Sequence, residues 1–404
     1  MVQPPIAYRA GWLIDGCGKP AVRNQIIVVN DGRVRKILDG NRELPPDLNI
    51  VDLSASSVLP ALIDSHVHLS MSGSTAPDVR QGQLSSSYPD RCQVITGHLR
   101  KHLECGVLAV RDGGDHRGFS LRYTKDFSLN VELPVTIAAP GRARHAAGRY
   151  GKLIGIAVEP GIPLTESAFG PTTPRNHLKL VNSGLNSLTQ FGVETPPQFD
   201  LAELTAVTTA AHERGLPVMV HANGYLPVKL AVSAGCDSIE HGFFMGRENM
   251  RRMADEGVVW VPTAVTMKAY SDYLEAQGHR SDPSFADVSR RNLQHQLEQI
   301  GLARQIGVPI ALGTDAGSPG VHHGSAVKTE LALLVAAGFS VEEAVRCASR
   351  NGARLMKLAD RGKIAPGMWA DMIAVDAPPD QLPQTMHRVS FCLSSGRPVD
   401  SKAH

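Results

Sequence analysis

The sequence predicts an α/β fold, a (β/α)8 TIM-like barrel joined to a small β-sandwich domain formed by both termini. Two observations support this prediction. Eight apolar, strand-like runs alternate with helical patterns through the middle of the chain, and eight parallel strands are the number that closes such a barrel. Both ends of the chain are rich in β patterns instead. We therefore expect residues 1–60 and 362–404 to form the small domain and residues 61–361 to form the barrel.

The terminal segments have the alternation and turn residues of short strands. The N-terminal runs are AYRAGWLIDG, NQIIVVNDGRVRKIL and NIVDLSASSVLP, and Asn30-Asp31-Gly32 is typical of a tight hairpin turn. The C-terminal runs GKIAPGMWADMIAVDAPP and MHRVSFCLSSGRPV have the same character. The two ends are thus expected to pair in one domain.

The central runs and their connections follow the β/α alternation. Helical patterns such as DLAELTAVTTAAHERG precede Gly215, Gly235 and Gly307, where a left-handed C-terminal cap is expected. The 140–178 stretch is rich in glycine and proline and shows no clear helix, as is common for functional barrel loops. The eight strand-like runs are VLPALIDSHVH, GVLAVRDGG, LPVTIAAPG, NHLKLVNSG, LPVMVHANG, CDSIEHGFF, VVWVPTAV and VPIALGTDAG.

Composition bounds the possible partners. The chain has 404 residues, 42% of them apolar and 20% charged, with a formal net charge of +2. No basic run indicates nucleic-acid binding, and no stretch of about 20 apolar residues indicates a membrane span. The six cysteines are dispersed without a C-x-x-C pair, which favours free thiols in a reducing compartment. We expect a cytoplasmic protein with a small-molecule substrate and neither nucleic acid nor membrane as partner.

Metal-binding residue types stand at the ends of the predicted strands, where catalytic residues of this fold gather. His66 and His68 alternate on one strand and therefore face the same side. Each imidazole taken alone has an ordinary alternative as a buried core histidine, and Asp315 as a turn residue. Several in register favour nitrogen and oxygen ligation of a divalent metal. The set consists of the imidazoles of His66, His68, His221 and His241 and the carboxylate of Asp315, and Lys179 stands on a predicted strand beside them.

The segments DSHVH, HLKLVNSG, VHANG, SIEHG and LGTDAG resemble those of the amidohydrolase superfamily. The binuclear-metal branch that contains Xaa-Pro and Xaa-Arg/Lys dipeptidases and carboxypeptidases is the most similar. The resemblance implies two divalent ions, zinc above all, with His66, His68 and Asp315 on one and His221 and His241 on the other. It also implies that Lys179 is carboxylated by CO2 and bridges both ions, although an ordinary ion-paired lysine is the alternative. Homo-oligomers are common in such relatives.

The resemblance further implies a hydrolase that cleaves the C–N bond of a dipeptide, an N-acyl amino acid or a related amide or carbamate. A hydroxide bridging two metals about 3.5–4 Å apart would be the nucleophile, and Asp315 would act as general base and then general acid. Gly224 stands where nucleobase deaminases typically have a glutamate, which argues against deamination. Hydrolysis of an ester, lactone or phosphoester is an alternative, as is a non-catalytic assembly protein on the same scaffold.

Substrate recognition is expected from the loops after the third and eighth strands. His145 resembles a family position near the substrate carbonyl. For the others, solvated loop residues are the alternative interpretation. The candidates are Arg142, His145 and Tyr150 in GRARHAAGRYG, and His322 and His323 in GSPGVHHGS.

Overall fold

The computed structural model describes residues 4–127, 133–169, 175–277 and 283–400. Its strands are β1 (Ile6–Leu13), β2 (Val22–Asn30), β3 (Arg33–Asp39), β4 (Asn49–Pro60), β5 (Leu62–Val67), β6 (Val107–Asp112), β7 (Thr136–Ala138), β8 (Ala143–Ala146), β9 (Gly155–Val158), β10 (Leu178–Val181), β11 (Val218–Ala222), β12 (Ser238–His241), β13 (Val259–Val261), β14 (Met372–Val375), β15 (Val389–Ser394) and β16 (Arg397–Pro398).

Helices alternate with most of the central strands along the chain. A π-helical turn, Cys347–Asn351, separates the last two of them. They are α1 (Pro77–Ser85), α2 (Tyr88–Glu104), α3 (Phe119–Asp126), α4 (Leu164–Phe169), α5 (Leu201–Glu213), α6 (Tyr225–Ser233), α7 (Gly246–Glu256), α8 (Val265–Gln277), α9 (Pro283–Ile306), α10 (Ala326–Ala336), α11 (Val341–Arg346) and α12 (Gly352–Leu355).

Both termini contribute to one seven-stranded sheet, with the order β16-β15-β14-β4-β1-β2-β3. The two ends meet where β14 pairs antiparallel with β4, Met372 opposite Pro60. The predicted β2–β3 hairpin is confirmed: Asn30 pairs with Arg33 across a turn in which Asp31 and Gly32 both have positive φ. Residues from both ends of the chain share a buried apolar cluster between these strands.

The central strands are parallel, which confirms the α/β fold class. They form a six-stranded sheet, β13-β12-β11-β10-β8-β9, and a three-stranded sheet, β5-β6-β7. The eighth predicted run, 308–317, is not a continuous strand. It makes parallel bridges from Ile310 to Trp260 of β13 and from Ala316 to Val67 of β5. This run therefore joins the edges of the two sheets, and its irregular end carries Asp315.

The helical predictions are confirmed where the caps were expected. Helix α5 begins with a capping box between Asp200 and Glu203, and Gly215, Gly235 and Gly307 follow their helices with positive φ. The expectation that 140–178 contains no helix was wrong, because α4 occupies Leu164–Phe169. Arg144 Nε and Arg175 Nη2 donate to the carbonyls of Ser167 and Ala168, 2.7 and 2.8 Å away. Residues 170–174 of this stretch lie outside the described residues.

Two further expectations have direct structural counterparts. All six cysteines carry free thiols. Within the described ranges, no helix has the length and hydropathy to span a bilayer.

Three buried histidines connect α2 to the loop before α10. The His98 and His323 rings stack with centroids 3.9 Å apart, and His102 Nε2 lies 3.2 Å from His323 Nδ1. His98 Nδ1 and His323 Nε2 lie 2.9 and 2.8 Å from the carbonyls of Leu69 and Met71. Burial lowers the pKa of His102 to about 3 and that of His98 to about 4. The cluster is therefore neutral in the folded protein and holds the segment after β5 in place.

This cluster predicts loss of stability in acid. Unfolded histidines bind protons below a pH of about 6.5, whereas these buried ones do not, so the folded state loses stability as the pH falls through that value. Each such histidine contributes roughly 1.4 kcal/mol per pH unit below it. We expect the drop in Tm between pH 7.5 and 5 to be smaller in His102→Leu than in the wild type.

The control is His387→Leu, which removes an exposed imidazole. Its drop in Tm is expected to equal that of the wild type. An equal drop in His102→Leu would show that the buried cluster does not cause the acid sensitivity.

Candidate active site

One cavity of about 580 Å³ is lined by all six residues that the sequence singled out at strand ends. His66 is on β5, with His68 directly after it; Lys179 is on β10, and His221 is on β11. The structure thus brings together side chains from segments up to about 250 positions apart in sequence. The others are His241 at the end of β12 and Asp315 in the run that joins the two sheets.

The distances within this set are short. His68 Nε2 lies 3.2 Å and His66 Nε2 3.5 Å from Asp315 Oδ1, and the ligand atoms of these three residues all lie within 4.8 Å of one another. The His241 ring centroid is 5.0 Å from that of His66 and 4.6 Å from that of His221. The four imidazoles therefore face one small volume.

The inner nitrogen of each imidazole has a hydrogen-bond partner, which leaves the other nitrogen facing the cavity. Such partners orient metal-binding histidines in known sites. His221 differs from the rest because its Nε2 is engaged, so that it presents Nδ1. The contacts are His66 Nδ1 to Glu240 Oε2 at 2.7 Å, His68 Nδ1 to the Gly114 carbonyl at 2.9 Å, His241 Nδ1 to Thr263 Oγ1 at 2.8 Å and His221 Nε2 to the Gly184 carbonyl at 3.1 Å.

A buried charge network lies beneath His66. Glu240 forms an ion pair with Arg111, and Ser238 Oγ donates to Glu240 Oε1 over 2.6 Å. Arg111 Nε donates to the Ser65 carbonyl at 2.9 Å. Although burial opposes ionisation of Glu240, Arg111 and His66 hold the pKa of this carboxyl well below its usual range. Sequence reasoning missed Glu240 and Arg111, although charged residues within apolar strand runs were the available signal.

Two carboxylates that share the surroundings of the ligands act as structural acceptors. Asp64 accepts from Thr314 N at 2.9 Å and Thr314 Oγ1 at 2.6 Å. Asp112 accepts from the backbone N–H groups of Leu69 and Gly114 at 2.8 and 2.7 Å. These contacts position the backbone on either side of His68 and next to Asp315.

The polar atoms that face the cavity fit a bound cation. His66 Nε2, Lys179 Nζ and Asp315 Oδ1 are buried, and none has a hydrogen-bond partner among the described residues. Buried polar atoms without partners are rare in native proteins and call for a bound group. Gly113 leaves room for a bound group beside these rings, because a Cβ at this position would stand 2.5 Å from His68 Cε1 and 3.1 Å from His66 Nε2. The donor set of nitrogen and oxygen atoms suits zinc and neighbouring divalent metals.

The electrostatics favour neutral imidazoles at His66 and His221 and an ionised Asp315. Burial, followed by the charge of Lys179, lowers the pKa of His66 to about 4 and that of His221 to about 3. Burial lowers the pKa of Lys179 to about 8. Burial opposes the ionisation of Asp315, but the neighbouring imidazoles of His68 and His66 hold the pKa of this carboxyl well below its usual range. The imidazoles of His66 and His221 thus have free electron pairs, and the carboxylate of Asp315 is charged. At His68, burial lowers the pKa, but Asp315 outweighs this effect and raises the pKa above its usual value.

Two of the six residues have left-handed backbone conformations, with φ of 68° at His241 and 57° at Asp315. Such values are unfavourable for side chains of this kind and concentrate at functional sites. Hydrogen bonds hold them: Asp315 N donates to the His66 carbonyl at 2.7 Å, and Trp260 Nε1 and Gln296 Nε2 donate to the His241 carbonyl at 3.0 and 2.6 Å.

Comparison with known proteins assigns the family. The sequence model described as the amidohydrolase family matches residues 57–399 of this chain. The chain belongs to the amidohydrolase family. It is therefore an enzyme of the hydrolase class, as the sequence motifs predicted.

Relatives and solved structures similar to this amidohydrolase cover most of its length. An imidazolonepropionase of Ruegeria sp. strain TM1040 is 31% identical over 80% of this chain and 79% of its own. An uncharacterised protein of Mycobacterium tuberculosis is 25% identical over 84% of both chains. The crystal structure of a Xaa-Pro dipeptidase with bound methionine in the active site is 25% identical, with a TM-score of 0.82 over 98% of this chain and 100% of that one.

The predicted substrate residues of this amidohydrolase have different locations. Tyr150 lines the cavity, and its ring centroid is 5.2 Å from that of His221. Arg142 and His322 are exposed. His145 is buried with Nδ1 2.9 Å from the Ala146 carbonyl, and His323 belongs to the histidine cluster described above. As far as the structure describes the chain, these last four do not line the cavity: Arg142, His322 and His323 stand in loops that turn them outwards or into the core, and His145 lies on β8 with its ring buried.

The space at Gly113 gives a direct test of the site. In Gly113→Ala, the added methyl group would displace the rings of His68 and His66, so we expect the amidohydrolase to bind metal at least roughly tenfold more weakly. Metal affinity can be measured by competition with a chromogenic chelator. Gly97→Ala is the matched control, because a Cβ at Gly97 meets nothing within 4 Å.

The control variant is expected to bind metal as the wild type does and to gain roughly 0.5–1 kcal/mol of stability from its helical position. Wild-type metal affinity in Gly113→Ala would contradict the assignment of these two imidazoles to a metal site.

Proposed function

We propose that this amidohydrolase is a binuclear metal-dependent hydrolase that cleaves the C–N bond of a dipeptide, an N-acyl amino acid or a related small amide or carbamate. The observation that carries the proposal is the convergence on one cavity of three buried polar atoms without hydrogen-bond partners among the described residues, from His66, Lys179 and Asp315. The similarity to a Xaa-Pro dipeptidase over the whole chain supports an amide as the scissile bond.

The six converging residues would hold two ions, most simply zinc. His66, His68 and Asp315 would hold one, and His221 and His241 would hold the other. Lys179 fits this scheme as a carbamate, because an ammonium group has no acceptor for a cation, whereas a carbamate has two anionic oxygens. Its burial supports the modification, since CO2 adds to the neutral amine and burial favours that form.

When bound, the metal pair would activate a water as nucleophile and polarise the scissile carbonyl. Asp315 would accept the proton of that water and transfer it to the leaving nitrogen. Its second oxygen, Oδ2, accepts a hydrogen bond from Ser318 Oγ at 2.8 Å, which holds the carboxylate with Oδ1 towards the histidines. Tyr150 would donate a hydrogen bond from its phenol O–H to the substrate and remain protonated, because burial and the charge of Asp315 keep its pKa well above the usual value.

The same proposal includes the predicted architecture. The run 308–317 bridges β13 and β5, which supports closure of the central strands into a (β/α)8 barrel. Residues 61–361 would form this barrel, and residues 1–60 with 362–404 would form a small β-sandwich domain, as their shared sheet supports. The six free thiols support a cytoplasmic location.

Substrate profiling with an Asp315 variant tests the reaction. We expect the zinc-loaded protein to hydrolyse members of a panel of dipeptides and N-acyl amino acids. Asp315→Asn should lower kcat by roughly 10²- to 10⁴-fold, because proton transfer is lost, while the histidines retain much of the metal. Release of amine measures the rate, and elemental analysis measures the bound metal.

Near-wild-type turnover in Asp315→Asn would contradict its role. Hydrolysis confined to esters, lactones or phosphoesters would replace the proposed amide with the alternative substrate class. An absence of hydrolysis across all these classes would favour a non-catalytic protein on this scaffold.

Lys179 tests the second part of the proposal. Protein reconstituted with zinc and bicarbonate should bind about two equivalents of metal, whereas Lys179→Met should bind markedly less because the bridging anion is absent. ¹³C NMR after reconstitution with labelled bicarbonate should show a carbamate in the wild type only. A full metal complement in Lys179→Met, or no carbamate signal in the metal-loaded wild type, would contradict the modification.

A further inference from the structure

The wall of the cavity contains a positively charged side chain that neither the sequence motifs nor the proposed metal site explains. Arg80 on α1 lines the cavity and is half-buried. Among the described residues that line the cavity, Arg80 is the only charged one outside the proposed metal site. The described residues give it no ion pair; burial lowers the pKa of Arg80, and the charge of Asp315 offsets this only in part. An unpaired guanidinium at this position indicates an anionic ligand.

One nitrogen holds Arg80 in place. Its Nη1 donates to the carbonyls of Ser72, Ser74 and Gly317, at 2.9, 3.3 and 3.1 Å. Gly317 lies two residues after Asp315, so the guanidinium is attached to the segment that carries the proposed proton-transfer group. Gln83 reinforces the arrangement, because its Oε1 accepts from Ser72 N and Ser72 Oγ at 3.0 and 3.1 Å.

The other nitrogens of Arg80 have no protein partner. Neither Nε nor Nη2 has a hydrogen bond to any residue that the structure describes, whereas Nη1 has three. A purely structural arginine would be expected to use more of its five donors. The Nε and Nη2 groups form a planar pair of donors that matches the two oxygens of a carboxylate.

Exposed apolar side chains also line the cavity. Leu153, Leu185 and Tyr273 line it while exposing 44, 57 and 40% of their surfaces. Leu153 lies in the β8–β9 loop, Leu185 in the segment after β10 and Tyr273 on α8. Arg80 lies on α1, after β5, and contacts Gly317 in the segment after Asp315. Exposed apolar side chains at a cleft favour an apolar ligand group.

We propose that Arg80 binds the free carboxylate of the substrate, so that the enzyme selects N-acylated amino acids and dipeptides with an apolar remainder over their neutral analogues. This inference rests on the proposed function for the identity of the scissile bond. The attachment of Arg80 to the Gly317 carbonyl would bring an amide next to a bound carboxylate close to Asp315. Arg80 is thus a specificity-determining residue.

Two substrate pairs test Arg80 separately from the reaction class. The amide pair is N-acetyl-L-leucine and N-acetyl-L-leucinamide; the ester pair is mono-4-nitrophenyl succinate and 4-nitrophenyl butyrate. We expect the wild type to prefer the anionic member in kcat/KM by roughly 10- to 100-fold, as expected for a charge-assisted contact. Arg80→Met should bring this ratio close to one, mainly through KM, and Arg80→Lys should restore part of it.

Arg149→Met is the matched control, because Arg149 is an exposed arginine held by one carbonyl, that of Pro196, and it is outside the lining residues described. It should keep the wild-type ratio. If Arg80→Met does not fold, Arg80→Lys is compared with the wild type instead, and a smaller anion preference in Arg80→Lys supports the role of Arg80. If neither amide is hydrolysed, calorimetric titration with the two amide compounds measures the same preference as a ratio of Kd values.

The outcomes separate the two proposals. Hydrolysis of the ester pair alone, with an anion preference that depends on Arg80, would overturn the amide reaction but support Arg80. Equal losses for both members of a pair in Arg80→Met would show that Arg80 only supports the loop. The absence of any anion preference in the wild type, in rates or in binding, would also overturn the inference.

Discussion

The hydrogen bond between His66 and Glu240 is the contact on which the geometry of the site depends. His66 belongs to β5, Glu240 to β12 and the Arg111 that neutralises Glu240 to β6. Removing one partner from such a buried network leaves an uncompensated charge, which typically costs about 3–5 kcal/mol. The orientation of the His66 imidazole is therefore determined by the same contacts that hold three strands together.

Above this network, the protein has features that are unfavourable without a ligand. In the cavity, the buried atoms His66 Nε2, Lys179 Nζ and Asp315 Oδ1 have no hydrogen-bond partner among the described residues, and His241 and Asp315 have left-handed backbones. Proteins commonly concentrate strain and unsatisfied polar groups at functional sites, where the surrounding core maintains them. Here, carbonyls, Glu240 and Thr263 hold the imidazole rings from behind, so that their free nitrogens do not turn away.

The cavity combines two chemical environments that suit the proposed substrates. Its lining contains the histidines, Asp315 and Arg80, together with the exposed apolar side chains of Leu153, Leu185 and Tyr273. Helix α8 supplies part of the apolar wall, and its first backbone N–H groups are held by the buried carboxyl of Glu330, at 3.0 Å to Ala264 N and 2.7 Å to Val265 N. Substrate selectivity would then depend on loops and helices outside the strand ends, whereas the chemistry depends on the strand ends themselves.

The sequence missed β8, β9 and α4, but it was sufficient to determine seven of the eight predicted central strands, the β2–β3 hairpin and the six residues at or near strand ends. These features depend on local periodicity, on turn residues and on residue types that are rare at the ends of apolar strands. Parallel strands bring their carboxyl ends to one side, so that a local pattern predicts a long-range meeting.

Other features were decided only by the tertiary structure. The contacts of Arg111 with Glu240 and of Arg80 with Gly317 join segments more than 100 residues apart, and no local pattern encodes them. Arg142, His322 and His323 have polar side chains in the expected loops, but the paths of those loops direct them elsewhere, and the expected loop at His145 is the strand β8 instead. A side chain in a loop is placed by the packing of distant segments against its backbone, whereas a side chain on a strand is placed by the strand's own geometry.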